Sequence, residues 1–396
     1  MANQNIFVFV VCGGKEHIET LHFSLRYLQH FSRERILVVT DSKRNEIPVD
    51  HSDVIDVETP EHFNHHQASI YLKTGLPQFL PAGNLYCYLD TDVVAVSTEV
   101  DDIFKAYVSP ITFAPDHCSM EKFSPYAVKC GCMISEEMAA ELRGLIEKHD
   151  MKYAPQTPNL KQEQNRLKGL LDEMHSSLPK RILQTMKYHL SGGKYQFEKG
   201  YYFHKAKRVW FNDKNQPVMD DVDNLIANVE GESEFVFDKG RNTWLTADGR
   251  NVWSPQCAHL AEMIGAEFGT KVANSKWQHW NGGVFLFNDD SREFMQQWHD
   301  KTLHIFNVEK WRTRDQGTLI ATVWQFGLDK QPTLSKKWNF IADYYNDKLT
   351  IDESNGSFSD NNGQTVYQPA FVHVYHHFGT RGWLVWDWVE TVGSKF

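Results

Sequence analysis

Leu85-Tyr86-Cys87-Tyr88-Leu89-Asp90-Thr91-Asp92-Val93-Val94-Ala95-Val96 is the stretch on which the reading of the chain turns. An apolar run ends in two carboxylates one residue apart, and a second apolar run follows at once. Short apolar runs of this kind read as buried strands, so both acids fall where a strand leaves its sheet. Two carboxylates on a fixed backbone can share a hard divalent cation at small entropic cost. The spacing alone says little, because acidic residues are common. Asp221-Val222-Asp223 repeats it in polar sequence with no evident strand feeding it, and reads as a solvated turn.

Upstream of the acids, residues 6–11 form a continuous apolar run closed by Gly13-Gly14. Ile18, Leu21, Leu25 and Leu28 then recur at helical spacing, residues 36–39 return to strand character, and Val54-Ile55-Asp56-Val57 is a further short strand. A helix over 69–80 is interrupted by Gly75 and Pro77. This alternation predicts an α/β fold with a doubly wound, mainly parallel central sheet flanked by helices. Ligands of such sheets bind beyond the carboxyl ends of the strands, where Gly13-Gly14 and Asp90-Thr91-Asp92 both fall. Gly13-Gly14 lacks the third glycine of a dinucleotide fingerprint and reads as a tight turn.

Downstream the character changes. Ser135 caps a helix with Met138, Leu142, Leu145 and Ile146 on one face. Helices over 161–174 and 179–190 follow, then aromatic, turn-punctuated sequence. There Val209-Trp210-Phe211 and Phe235-Val236-Phe237 read as strands, and Thr243-Trp244-Leu245 with Asn251-Val252-Trp253 as a hairpin across Asp248-Gly249. The α/β pattern resumes with Trp280-Asn281-Gly282-Gly283-Val284-Phe285, a helix capped by Ser291, and another opened by Asp315-Gln316-Gly317. The domain reading is a first core half over 1–132, an inserted α+β subdomain over 133–258, and a second core half over 259–396.

At 396 residues and 41% hydrophobic content the chain fills a real core. A net charge of −10 without a basic stripe argues against nucleic acid as a partner. The run over 6–11 is too short to span a membrane and has no positive flank, so no secretory signal or transmembrane segment is read and a cytoplasmic location is expected. The cysteines at 12, 87, 118, 130, 132 and 257 are therefore expected as reduced thiols. Cys130-Gly131-Cys132, with His117 and Cys118 upstream, matches no common zinc spacing and reads as small core thiols. The aromatic tail Trp383-Leu384-Val385-Trp386-Asp387-Trp388 offers either a peripheral membrane or glycan contact or packing against the sheet.

A divalent ion needs more than two carboxylates, and the sequence offers imidazoles in Phe371-Val372-His373-Val374-Tyr375-His376-His377-Phe378-Gly379-Thr380-Arg381. The glycine backbone there can approach a phosphate, and Arg381 offers a cationic fork.

Leu89-Asp90-Thr91-Asp92-Val93, Asn281-Gly282-Gly283-Val284-Phe285, Asp315-Gln316-Gly317, Trp338-Asn339 and His376-x-x-Gly379 occur in the order found in glycosyltransferase family 8, which the chain resembles over about residues 5–115 and 275–390. The resemblance implies the GT-A fold and a metal-dependent, retaining hexosyltransferase. It would take a UDP-sugar as donor and a hydroxyl of a glycan or glycoconjugate as acceptor. It implies Mn²⁺ or Mg²⁺ on Asp90, Asp92 and His376, with His377 and His373 as competitors. Gly379 would lie against the donor pyrophosphate and Arg381 near the family's lysine, with one residue less between them and no proline after. Lys73 stands where the family usually has an arginine. Asn281, Asp315 and Gln316 would border the donor sugar as catalytic-site residues, with Thr91, Gly282 and Gly283 beside the donor. The base would lie by the first strand, with Cys12, Gly13, Gly14 and Asp41 at its rim.

A bound cation with cationic side chains can stabilise a departing diphosphate without a strong nucleophile. Two other readings remain at this level. A nucleotidyltransferase on a related sheet would want a basic Gly-rich loop after the first strand, where only Lys15 stands. A catalytically silent homologue would bind glycan or protein without turnover.

Overall fold

Asn5–Val11 (β1) lies at the middle of the main sheet and is buried from Ile6 onward. The structure, a computed structural model, describes residues 4–150, 158–175, 177–342, 349–359, 366–374 and 376–396. It comprises two compact units, Met1–Cys130 with Cys257–Phe396, and Gly131–Gln256.

In the first unit β1 leads through helix α1 (Lys15–Phe31) to strands β2 (Arg35–Thr40) and β3 (Val54–Asp56). Helix α2 (His65–Thr74) then leads to β4 (Leu85–Leu89), which turns into β5 (Val93–Ala95). Strand β6 (Ile111–Ser119) and helix α3 (Met120–Ala127) come before the second unit; helix α4 (His259–Phe268) and strand β7 (Gln278–Phe287) come after it. Helices α5 (Arg292–Ile305) and α6 (Arg314–Gln325), strands β8 (Phe340–Ile341) and β9 (Phe371–His373), and helix α7 (Leu384–Gly393) complete the unit.

The main sheet runs β3-β2-β1-β4-β7-β6. Neighbours from β3 to β4 are parallel, and β7 alone runs against both of its partners. This is the α/β architecture with a mainly parallel sheet that the alternation of runs implies. The period of two along β1 divides the core. Phe7, Phe9 and Val11 join Ile18, Leu21, Leu25 and Leu28 of α1 on one face. Ile6, Val8 and Val10 join Ala68 and Leu72 of α2 and residues of α5 and α6 on the other. Each fully buried side chain of this size contributes roughly 1.5–3 kcal/mol.

The aromatic tail turns inward. Val385, Trp386, Trp388 and Val389 of α7 are buried in the α1-side core, and Tyr27 donates to the Val389 carbonyl at 2.8 Å. Membrane contact through these tryptophans is replaced by core packing, which burying their large rings favours. No helix among the described residues is long and apolar enough to cross a membrane.

The second unit has helices Glu136–Asp150, Pro158–His175 and Leu178–Leu190, then an antiparallel meander of Lys194–Gln196, Tyr202–His204, Val209–Phe211 and Pro217–Asp220. Ser135 caps the first helix through the Met138 amide at 3.2 Å. Two sequence expectations change here. Asp221 and Asp223 are not a solvated turn. Strand Pro217–Asp220 leads straight into them, Asp221 is the residue before helix Val222–Glu232, and Arg208 holds both carboxylates at 2.5 and 2.6 Å. Thr243–Leu245 pairs with Val236–Asp238 along its whole length and meets Asn251 in one isolated bridge. The loop through Asp248-Gly249 therefore joins no second full strand.

Candidate active site

Three pieces of backbone meet beyond the carboxyl ends of β1 and β4. The first is the turn after β4, where the Val93 amide donates to the Asp90 carbonyl at 3.0 Å and reverses the chain into β5. The second is β9, which pairs antiparallel with β5 so that His373 stands opposite Val93, one residue from Asp92. The Val374 amide donates to the Asp92 carbonyl at 3.0 Å and fixes that register. The third is the Asn-Gly-Gly segment of β7. There the pairing with β6 jumps from Asn281 opposite Ala114 to Phe285 opposite Phe113, a bulge that re-aims the strand.

The result is a ligand set. One atom each from Asp90, Asp92 and His373 lie within 4.8 Å of one another. His373 Nε2 is 3.4 Å from Asp92 Oδ1, and its Nδ1 is 2.9 Å from Asn339 Oδ1, which orients the ring. His376, three residues further on, is not in this group. Two carboxylate oxygens and an imidazole nitrogen suit a divalent cation such as Mn²⁺ or Mg²⁺ and leave positions open for other ligands.

Lys73 closes the site from α2. It is only 8% exposed, and its ammonium lies 3.3 Å from Asp90 Oδ1 and 3.1 Å from Asp315 Oδ2. Burial alone would lower its pKa, but the two carboxylates more than offset that and raise it above the ordinary lysine value. Burial would likewise raise Asp315, but the Lys73 charge and hydrogen bond hold it below the ordinary value. Tyr88, two residues before Asp90 on the same strand face, donates to Asp90 Oδ1 at 2.5 Å; burial, then Asp90, push its phenol well above the usual range.

The glycines are required by crowding. A Cβ on Gly283 would lie 2.6 Å from His373 Cε1 and 2.9 Å from both Asp90 Oδ2 and Asn281 Oδ1, and one on Gly282 3.2 Å from Gln316 Oε1. Asn281 braces the bulge. Its Oδ1 accepts from the Gly283 amide at 2.9 Å and from Asn339 Nδ2 at 3.1 Å, and its own Nδ2 donates to Asp116 Oδ2 at 3.0 Å. Gln316 accepts from the Gly282 amide at 3.0 Å and donates to the Trp280 carbonyl.

No protein-family model and no curated protein matches this sequence. Among solved structures it is similar to the WbbM bifunctional glycosyltransferase, at 10% identity and a TM-score of 0.42, over 99% of this chain and 49% of that one. It is also similar to mouse xyloside xylosyltransferase 1, at 9% identity and a TM-score of 0.32, over 86% of this chain and 87% of that one. A third, GlyE of Streptococcus pneumoniae TIGR4, aligns over 37% of this chain and 39% of its own at 14% identity and a TM-score of 0.21. The chain thus spans about half the length of WbbM. Likenesses this shallow assign nothing to individual residues.

Of the remaining sequence candidates, Thr91 lies in the turn between Asp90 and Asp92, and the others lie at two other places. After β1, Cys12 is buried and its thiol is pushed up to about 11, chiefly by burial and then by Asp41. Gly13 has φ +104, and a Cβ there would meet the His65 ring at 2.6 Å; Gly14 is the N-cap residue of α1. Asp41 is occupied by the loop itself. Its Oδ2 accepts from Arg44 Nε at 3.2 Å and from Thr59 N and Oγ1 at 2.9 and 2.6 Å. The Thr91 carbonyl accepts from Ser24 of α1 at 2.6 Å. In the tail, Gly379 takes φ +77 in the turn closed by Thr380 N to the His377 carbonyl, and the His377 ring lies 5.0 Å from that of Trp383. Arg381 is exposed, 3.7 Å from Glu390.

Sequence reasoning missed Tyr88, Asp116 and His279. Tyr88 was findable, since the period of two along β4 places it on the side of Asp90. Asp116 and His279 reach the site only through the pairing of β6 with β7, which no local pattern announces.

Proposed function

We propose that this chain is a metal-dependent, retaining glycosyltransferase that moves a hexose from a UDP-sugar to a hydroxyl of a glycan or glycoconjugate. One observation carries the reading: Asp90, Asp92 and His373 converge beside a buried Lys73, at the carboxyl ends of parallel strands. A divalent cation held there would neutralise charge on a departing diphosphate. The order of motifs, which resembles that of glycosyltransferase family 8, supports the choice of donor.

The chain's own residues supply the rest. Lys73 adds a fixed positive charge that needs no reorganisation, because Asp90 and Asp315 already hold it. Asp315 spends its charge on Lys73 and so is a positioning group rather than a nucleophile. Gln316 and Asn281 set the bulge in which Gly282 and Gly283 make way for Gln316, His373 and Asp90. With no carboxylate free of such pairing among these residues, a front-face transfer in which the leaving phosphate takes the acceptor proton is favoured over a double displacement.

The test is a panel of UDP-sugars incubated with the protein and Mn²⁺. Slow, metal-dependent release of UDP from one donor is expected even without acceptor, and Asp92→Ala should abolish it while keeping the fold. If no donor is hydrolysed and UDP binding shows no metal dependence, the proposal fails.

A further inference from the structure

A second donor cluster lies in the first unit, with no residue in common with the site above. Cys130 Sγ and Cys257 Sγ are 3.7 Å apart, and ligand atoms of Cys130, Cys257 and His259 all lie within 4.8 Å of one another. The separation excludes a disulfide and fits both two thiols in contact and two thiolates on one ion. A disulfide brings two sulfurs to about 2.05 Å. Two thiolates on one tetrahedral zinc, with Zn–S near 2.3 Å, stand about 3.8 Å apart.

The three ligands are held in advance by backbone that does not depend on them. The Cys130 amide donates to the Val128 carbonyl at 3.0 Å, and that of Lys129, just before it, donates to Lys310 at 2.8 Å. The Cys257 amide donates to the Glu121 carbonyl at 3.0 Å. Ser124 of α3 lies 3.0 Å from Cys257 Sγ through its hydroxyl, which also accepts from the Leu260 amide at 2.9 Å. His259 is the first residue of α4. Each ligand is partly exposed, so an ion can reach them.

We infer that Cys130, Cys257 and His259 bind a zinc ion. Sulfur and imidazole donors select zinc over the hard ions suited to Asp90 and Asp92. Cys130 is the last residue of the first unit before Gly131–Gln256, and Cys257 the first after it. The ion would therefore pin together the two ends of that long segment. Binding releases the thiol protons to solvent, so affinity rises with pH. Cys257 and His259 are distant from Cys130 in sequence and adjacent in space, so no local spacing announces the cluster.

The test uses the full chain. Purified protein should carry one zinc, released by an organomercurial that caps thiolates while the circular dichroism of the fold persists. Replacing zinc with Co²⁺ should give thiolate-to-metal charge-transfer absorption and intense tetrahedral visible bands. Cys257→Ser and Cys130→Ser should weaken or lose these bands, and Asp92→Ala should keep them. Should a serine variant fail to fold, the mercurial release on unaltered protein still decides. Absence of the thiolate band after cobalt reconstitution, its persistence in both serine variants, or a Cys130–Cys257 disulfide in freshly purified protein would overturn the assignment.

Discussion

At Gly283 the site leaves no room for a single methyl group. Its Cβ would press on His373, Asp90 and Asn281 together, and all three are held by other partners, so none can move cheaply. Gly283→Ala should cost about 1–3 kcal/mol of stability, as overpacking does. It should lower UDP release by about a hundredfold, since a shift near 1 Å suffices to spoil a reacting geometry. Calorimetric titration of UDP with Mn²⁺ checks this; unchanged binding would mean the bulge lies outside the donor site. Lys73 makes a different argument. Lys73→Met leaves half-buried Asp315 without its partner, at a cost of about 3 kcal/mol at most. In the native protein Asp315 has a lowered pKa, so its stabilisation is present at neutral pH and lost only as pH falls through that lowered value. In the variant the Lys73 charge and hydrogen bond are gone, so Asp315 contributes less stability at neutral pH than it does in the native protein. The difference between the two proteins in urea unfolding should therefore shrink on going from about pH 7 to about pH 4. A difference that grew on acidification would contradict the ion triad.

The strands carried the legible part of the fold. Residues 6–11, 36–39 and 85–89 are short apolar runs between punctuating residues, and each forms a strand of the main sheet because parallel strands are buried on both faces. Asp90 and Asp92 could be placed at a strand end for the same local reason. The histidine could not. His373, His376 and His377 are equivalent in sequence, and only the register of β9 against β5 puts His373 beside Asp92. Register is a property of two strands, so no single stretch encodes it. The tail posed a similar choice, since a run of tryptophans suits a surface or a core until its partner helix is known. That partner is α1. The Cβ of an alanine at Gly393 would lie 1.9 Å from the Tyr27 hydroxyl, which holds α7 through Val389. Gly393→Ala should therefore break that hydrogen bond and lower stability by about 1–3 kcal/mol. Because α7 contributes no ligand to Asp90, Asp92 or His373, metal-dependent UDP binding below the melting range should stay within a few-fold of the parent. A large loss of binding with unchanged stability would instead tie the tail to the donor.

For the whole molecule, the division into two units sets what ligands can stabilise. Gly131–Gln256 is as long as an ordinary domain and has its own apolar clusters, one around Tyr195, Phe203, Trp210 and Val218 and another around Leu142, Ile226, Val229 and Trp244. A segment with its own core can unfold in its own transition, so the chain need not melt as one. Every residue proposed to hold the cation or the diphosphate belongs to the first unit. A ligand that binds only the native state stabilises what it binds by RT ln(1 + [L]/Kd), about 2.7 kcal/mol at a hundredfold excess over Kd. Differential scanning calorimetry should therefore resolve two transitions. Mn²⁺ with UDP together should move one of them up by several degrees and leave the other in place, and neither ligand alone should match the pair. If both transitions move together, the units do not unfold independently; if neither moves, Asp90, Asp92, His373 and Lys73 do not form the donor site.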